Sequence, residues 1–340
     1  MPISNGRYVS PTWINNQAPP INASELQAIT DTLETLNGIG GSGRGYIIVG
    51  TTQSGATLST CDYLCDGTAD DVEINAAIDY ASDNNLSVLL LSGTYNITSV
   101  LKVTVPLSGI SSGNTILQRS SNEFQTLISL SSSLSDIRTS GTGVESNPTC
   151  IDIYLWNKAY MNNVSIYDSP GVPFATETSS DYLSSYSSVY LSNVYISSTL
   201  GTLPCVLQAV NLNSFIINSQ ISVGITLKQC GGPDGGFSIF NSNLGPITIQ
   251  DCEGCVISNN NLMPSGSISV QYQSNSFGYL CASNIITSNL IPSGITLGEG
   301  TQYNIVTSNG GIKTGVAPSY WLGVTDNGTN NYVANNMPTS

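Results

Sequence analysis

The chain has 340 residues, of which 40% are hydrophobic and only 9% are charged, and its formal net charge is −14. An ordinary soluble protein has roughly 25% charged residues, so this surface must be hydrated mainly through Ser, Thr and Asn side chains. The eight basic residues are scattered, which argues against nucleic acid as a partner. The sequence has no His, which excludes imidazole acid–base chemistry and histidine zinc sites.

The sequence also argues against membrane insertion and against a signal peptide. No apolar run approaches the ~20 residues of a membrane span, and residues 1–13 lack a basic segment followed by an apolar one. We therefore expect the protein to be made in a cytoplasm. Two of the eight cysteines form the close pair Cys61/Cys65 and two form Cys252/Cys255. These pairs are far apart and differently spaced, which favours reduced core cysteines over a four-cysteine zinc site.

The first 44 residues read as an arm followed by a helix. Residues 1–22 contain four prolines, and Ser24 and Gln27 then form a capping box. The apolar residues that follow have the 3-4-3 spacing of an a/d seam: Leu26, Ile29, Leu33 and Leu36. A helix this short needs a partner, which could be a copy of itself or the core of its own chain. Residues 38–45 (GIGGSGRG) form a hinge after it.

The next predicted elements are a strand at Tyr46–Val49 and a second helix within residues 66–83, capped by Asp70 or Thr68. The apolar face of this helix consists of Ile74, Ala77, Ile78 and Ala81. A buried-type strand at Val88–Leu91 and a shorter one at Tyr95–Ile97 follow it. No convincing helix appears after about residue 100, where short β-branched runs alternate with Ser, Asn and Gly turns.

Two motifs repeat in this later part of the chain. The first is apolar–Thr/Ser–apolar and starts at Ile225, Ile247, Ile268 and Ile295. The second places Asn or Ser after an apolar pair, as in residues 215–221, 240–244, 256–262, 285–290 and 305–309. A period near 22 residues with two or three short strands per turn is typical of a parallel β-helix. A β-sandwich is the alternative, but few Asn-Gly hairpin turns are present.

These observations predict an all-β, single-stranded right-handed parallel β-helix with a short N-terminal helix and a capping helix. Inward positions should form files of Ile, Leu and Val, and Asn and Ser at the bends should form hydrogen-bonded ladders. An insertion near residues 274–278 should bulge from the surface. The helix at 70–83 should cover the first open edge. We divide the chain into an arm and helix at 1–44, the β-helix at 45–315 and a C-terminal tail or cap at 316–340.

Two segments carry a resemblance to known families. Residues 65–98 resemble the opening of pectate-lyase-like β-helix proteins, with a D-x-x-x-I-x-x-A-I helix, a strand and Gly-Thr-Tyr. Residues 13–36, with a Trp, Pro-Ile-Asn and a short helix, resemble the N-terminus of phage tail and baseplate-associated proteins. The resemblance to phage tail spikes and tail fibres implies a homotrimer in the virion, docking to other tail or baseplate proteins through residues 1–44, and binding or cleavage of host surface polysaccharide. It implies synthesis in the bacterial cytoplasm.

Catalytic candidates follow from aligning the repeats. A lyase is disfavoured, because no acidic calcium cluster with a neighbouring Arg is evident. Alignment puts Asp251 and Glu299 in one file with Tyr272 between them and Lys228 in the neighbouring file. The two carboxylates would be two rungs, about 9–10 Å, apart, near the upper limit for an inverting glycosidase. The alternative is that these are ordinary solvated turn residues.

A second group of acidic and aromatic residues lies earlier in the chain. Its acids are Asp152, Asp168, Glu177 and Asp181, and its aromatics include Tyr154, Trp156, Tyr167, Tyr182, Tyr186 and Tyr190. Trp156 and Tyr186, like Tyr272 and Lys228, are candidates for carbohydrate binding, although the aromatics could equally be ordinary exposed Tyr residues. We expect a virion component that binds host glycan without a cofactor. A glycosidase-type depolymerase is the alternative, and the lack of a signal peptide disfavours a bacterial adhesin.

Overall fold

The computed structural model describes residues 45–338 except 122, 142, 177–186, 198–202, 211–212, 232–235, 274–280 and 312–322, together with a short antiparallel backbone pairing of Ile3–Ser4 with Arg7–Tyr8. The predicted helix at 24–36 and the insertion at 274–278 lie outside the described residues. No helix in the described part of the chain is both long enough and apolar enough to cross a membrane.

The described chain winds through three long sheets, and all the pairings within them are parallel. From Ser87 to Gln271, each turn passes through sheets I, II and III in that order. Sheet I has thirteen strands: Tyr46–Thr51, Tyr63–Cys65, Ser87–Leu90, Leu107–Gly109, Ser133–Ser135, Lys158–Asn162, Ser188–Ser192, Phe215–Ile217, Ser238–Phe240, Val256–Ser258, Ile285–Thr287, Ile305–Thr307 and Tyr332–Ala334.

Sheets II and III complete the coil. Sheet II has eight strands: Gly93–Ile97, Thr115–Arg119, Arg138–Ser140, Ser165–Tyr167, Tyr195–Ser197, Gln220–Ile221, Asn243–Leu244 and Asn261–Leu262. Sheet III has ten strands: Leu101–Val103, Thr126–Leu130, Ile151–Leu155, Val172–Thr176, Cys205–Gln208, Ile225–Lys228, Ile247–Gln250, Ile268–Gln271, Ile295–Leu297 and Val324–Asp326. Gly310–Gly311 also pairs with Met337–Pro338. This architecture confirms the predicted parallel β-helix.

The predicted register is also confirmed. Ile225, Ile247, Ile268 and Ile295 lie directly over one another in sheet III. Side chains alternate between the two faces of a strand, so these Ile residues point inward and all four are buried. Cysteines occupy similar interior positions, and all eight are buried free thiols.

Polar side chains at the bend after sheet I form the predicted ladder. From strand Ser133–Ser135 onward, the residue that ends each sheet I strand is followed by one with positive φ, usually Asn, as at Asn218, Asn241 and Asn259. Asn tolerates this left-handed conformation better than most residues. The next residue then points inward. Asn260, Asn289 and Asn309 are buried there. Their backbone N–H groups donate to the side-chain oxygen of the Asn on the next rung, which is Asn289, Asn309 and Asn336 respectively, at 3.0–3.1 Å.

The two ends of the coil differ. Helix Asp71–Asp83 contacts the first strands of sheets I and III, and its buried residues include the predicted Ile74, Ala77, Ile78 and Ala81. Asp70 is the N-cap, but its side chain accepts the N–H groups of Gly67 and Asn96 instead of capping the helix. At the other end Val333, stacked on buried Val306, is 39% exposed. These last strands fall within 316–340, whose role as tail or cap stays a prediction.

Candidate functional site

A cleft with a volume of about 490 Å³ opens on the outward face of sheet III, near the capped end. It crosses the first three strands of this sheet, in which Lys102, Ser129 and Tyr154 are in register. Its lining combines aromatic rings, hydroxyls and one ammonium group: Val100, Lys102, Thr104, Thr126, Ser129, Tyr154 and Trp156. The cleft thus joins an apolar surface to hydrogen-bonding groups, the usual composition of a small-molecule site.

The alternation of the strands places these side chains outside. Leu101 and Val103 on either side of Lys102 are buried in the core, as are Ile153 and Leu155 on either side of Tyr154. Trp156 follows immediately, and its backbone N–H donates to the Leu130 carbonyl at 3.0 Å. The core therefore fixes the backbone on which the aromatic side chains of the cleft stand.

The cleft has one cationic group and one unsatisfied donor. Lys102 is exposed, and the only ion pair in the described part of the chain is elsewhere, between Arg119 and Asp152. The indole Nε1 of half-buried Trp156 is itself buried and has no hydrogen-bond acceptor among the described residues. A buried N–H without an acceptor usually costs free energy. A ligand that places a hydrogen-bond acceptor within reach of Nε1 would remove this cost.

The predicted catalytic residues occupy different environments. Gln229 and Asp251 follow the register-matched Lys228 and Gln250, so the predicted alignment of these strands holds. Asp251 is only 1% exposed, has a φ of 50°, and its Oδ1 accepts the N–H of Gln273 at 2.7 Å. Glu299 is exposed. The catalytic pair stays a prediction, and the burial of Asp251 weighs against it because only one of the two carboxylates faces solvent.

The described members of the predicted carbohydrate-binding set lie in two parts of the coil, with Lys228 and Tyr272 in one and Trp156 in the other. Lys228 is in register with Gln250 and Gln271, as predicted. Tyr272 is 36% exposed and its ring packs against the backbone at Gly300. The strands that end just before Trp156 and Tyr272 are five steps apart in sheet III, about 24 Å. Tyr186 lies outside the described residues, as do Glu177, Asp181 and Tyr182.

The prediction that Asp152 belongs to an acidic group at the surface is wrong. Asp152 is buried, and its Oδ1 lies 3.3 Å from Nη2 of buried Arg119. Burial raises the pKa of Asp152 to about 6, although the Arg119 charge opposes this rise. The sequence contained a signal for this pair, because Thr115, Leu117 and Arg119 share one face of their strand.

The other aromatic residues of that group are divided between two faces. Tyr167 of sheet II packs against Tyr195 at 5.4 Å, and the Arg138 guanidinium lies 5.4 Å from the Tyr167 ring centre. Tyr190 lies on sheet I, stacked on Tyr160. Of the predicted aromatics in the described residues, only Tyr154 and Trp156 share a cleft. Sequence reasoning missed its other lining residues, because the repeats are weak before residue 160.

One further cluster of ligand-type atoms lies beneath the capping helix. The thiol of Cys65 and the carboxylates of Asp70 and Glu73 are all within 4.8 Å of one another. Both Asp70 oxygens already accept backbone N–H groups. Burial raises the pKa of the Cys65 thiol far above its ordinary value, which disfavours the thiolate that a metal ion requires.

No protein-family model and no curated protein matches the sequence. Among solved structures, the chain is similar to the Agl-KA catalytic domain, with 12% identity over 77% of this chain and 55% of that chain and a TM-score of 0.45. It is also similar to ORF18 of Geobacillus virus E2, with 14% identity over 96% of this chain and 66% of that chain and a TM-score of 0.43. The chain therefore spans about half of the first protein. At these values neither likeness carries an argument about function.

Proposed function

We propose that this protein is a phage tail component that binds a glycan on the host cell surface through the cleft at Lys102, Tyr154 and Trp156. The observation that carries the glycan part is the composition of the cleft, in which two aromatic side chains stand beside hydroxyls and one ammonium group that has no ion-pair partner among the described residues. Sugars have apolar C–H faces that pack on aromatic rings and hydroxyls that need hydrogen-bonding partners, so they suit this combination.

The phage-tail part of the proposal rests on the resemblance of residues 13–36 to tail and baseplate-associated proteins. The same resemblance supports a homotrimer, a location in the virion, and docking to other tail proteins through residues 1–44. Mass spectrometry of purified particles tests the location. Particles assembled with a chain lacking residues 1–44 should lose the protein, whereas retention in normal amounts would contradict this docking role.

The glycan part can be tested by screening the purified full chain against an array of bacterial surface polysaccharides and titrating the best ligand. Trp156→Ala should weaken binding by about tenfold or more, because it removes an aromatic anchor from the cleft. Tyr80→Ala is a suitable control, since Tyr80 is a 50% exposed aromatic on the capping helix, outside the cleft. Equal losses in both variants, or unchanged binding by Trp156→Ala, would contradict the assignment of the cleft.

A further inference from the structure

The outward face of sheet I carries large apolar side chains in two adjacent files, with at least one on each of eight successive strands, and we call this band the apolar stripe. It spans eight strands, from Lys158–Asn162 to Tyr332–Ala334, or about 34 Å along the axis at the usual strand spacing. Register places its members on successive rungs or in the adjacent file. They are Tyr160, Tyr190, Phe215, Ile217, Phe240, Val256, Ile285, Ile305 and Tyr332. All are exposed or half-buried.

The other two sheets are different on their outward faces. Over the later rungs of sheet II the outward file contains Gln220, Asn243 and Asn261. The corresponding file of sheet III contains Thr226, Thr248, Ser269 and Thr296. Exposed apolar residues are normal when scattered, but a contiguous patch indicates an interaction surface. Sheet I is therefore the face of the described β-helix most suited to a protein partner.

The geometry of the aromatic rings favours a protein surface over a sugar at the stripe. The Tyr160 and Tyr190 rings are stacked, with centres 4.6 Å apart and planes 10° apart. Tyr190 meets Phe215 edge to face at 5.3 Å. The stacked rings use their flat faces on each other, so they present mainly edges outward. A sugar needs an exposed ring face, whereas the packed side chains of a protein interface can contact ring edges.

The distribution of charge favours a second copy of the chain over a basic protein as the partner at this face. The chain has a net charge of −14, so two copies repel each other over most of their surfaces. The eight strands that carry the stripe contain no Asp or Glu, and Lys158 is their one charged residue. Two copies can thus meet at this face without burying like charges, apart from Lys158 at one end of the stripe, whose ammonium lies 5.6 Å from the Tyr160 ring centre. A basic partner would instead be attracted to the acidic surfaces elsewhere.

We propose that the apolar stripe is the surface through which the chain associates side by side with a second copy of itself. This inference does not depend on glycan binding, since the stripe lies on sheet I and the cleft on sheet III. Burying the stripe removes its apolar area from water, which is the main favourable contribution to association of this kind.

A pair of matched charge substitutions in the full chain tests the proposal. Ser238→Asp puts a carboxylate into the stripe, between the register neighbours Phe215 and Val256. Thr248→Asp adds the same charge to the outward face of sheet III, at a position that is also half-buried. Sedimentation velocity over a concentration series gives the dissociation constant of each protein, and circular dichroism reports whether each is folded.

We expect the wild type to self-associate, Ser238→Asp to raise the dissociation constant by about tenfold or more, and Thr248→Asp to change it by less than about twofold. If Ser238→Asp does not fold, the double substitution Val256→Thr and Ile285→Thr replaces it, because Thr is β-branched and suits a strand. A monomeric wild type, equal effects of the two charges, or association that survives both stripe variants would overturn the proposal.

Discussion

Arg119 and Asp152 form an ion pair inside the coil, with Nη2 and Oδ1 3.3 Å apart and side chains that are 0% and 2% exposed. Arg119 also donates to the carbonyls of Phe124 and Ile151 at 2.9 and 2.8 Å. The second carboxylate oxygen of Asp152, Oδ2, is buried, and no described residue gives it a hydrogen bond of good geometry. The pair ties sheet II to sheet III, since Arg119 ends a strand of the former and Asp152 belongs to the latter.

Removing one partner of this pair should destabilise the fold strongly. Asp152→Ala leaves the Arg119 charge buried and uncompensated, and we expect the free energy of unfolding to fall by about 3–5 kcal/mol. Chemical denaturation followed by circular dichroism measures this loss. The double variant Arg119→Met with Asp152→Leu should lose less, because no charge remains buried. A single variant that loses under about 1 kcal/mol would show that the pair behaves like an exposed one.

The same pair predicts a specific pH dependence. Burial raises the pKa of Asp152 from 3.8 to about 6, so between these values the folded chain binds more protons than the unfolded chain. The contribution of Asp152 to the free energy of unfolding should therefore decrease as pH rises through this interval, by at most about 3 kcal/mol.

Asp152→Asn is the control for this pH dependence, because it keeps an oxygen for Arg119 but cannot titrate. The stability of the wild type minus that of Asp152→Asn should fall from about pH 4 to about pH 7. Thermal unfolding at a series of pH values measures the difference. A difference that is constant, or that rises with pH, would mean that Arg119 outweighs burial at this site.

The asparagine ladder should be sensitive to single changes. Asn289 accepts from the N–H and the side chain of Asn260, and its own Nδ2 donates to Ile257 and Asn309. Asn289→Ala leaves several buried groups unpaired and should cost about 3 kcal/mol or more. Asn289→Ser should cost less, because Ser219 and Ser242 already fill the same file on earlier rungs.

The exposed Asn261 provides the matched control for this ladder. Its side chain bonds to Asn243 at the surface, at 3.2 Å. Asn261→Ala should change the free energy of unfolding by no more than about 0.5 kcal/mol. If Asn261→Ala and Asn289→Ala lower the free energy of unfolding equally in denaturant, burial does not determine how much the ladder residues contribute to stability.

Two substitutions of Asp251 distinguish a structural role of this residue from a catalytic one. Asp251→Ala removes the acceptor of the Gln273 N–H and puts Ala at positive φ, so we expect a loss of about 1–3 kcal/mol. Asp251→Asn keeps an oxygen acceptor and tolerates this conformation, so its stability should stay close to that of the wild type. If surface polysaccharide is degraded, with reducing ends as the readout, loss of this activity in stable Asp251→Asn and in Glu299→Gln would restore the catalytic assignment.

The sequence predicts this fold well wherever the rungs repeat. Ile247 and Ile268 are recognisable as equivalent because the same three-residue motif surrounds both, and they are in register. The cleft could not be predicted in the same way. Lys102 and Tyr154 come from rungs of unequal length without a shared motif, so only the folded chain shows that they line one cleft. The sequence predicts Asp152 at the surface, because an acidic residue in a strand normally faces solvent and its partner Arg119 is 33 residues away.

The in-register repeat also has a consequence for the length of the molecule. Residues 247–267 form one complete turn, and the turn that begins at Ile268 presents the same backbone register to the strand before it. In such an array each unit interacts only with its neighbours, so removing this turn would rejoin compatible surfaces and shorten the rod by about 4.8 Å. Deletion or duplication of whole turns can thus change the length of the molecule in equal steps during evolution, while its cross-section stays constant.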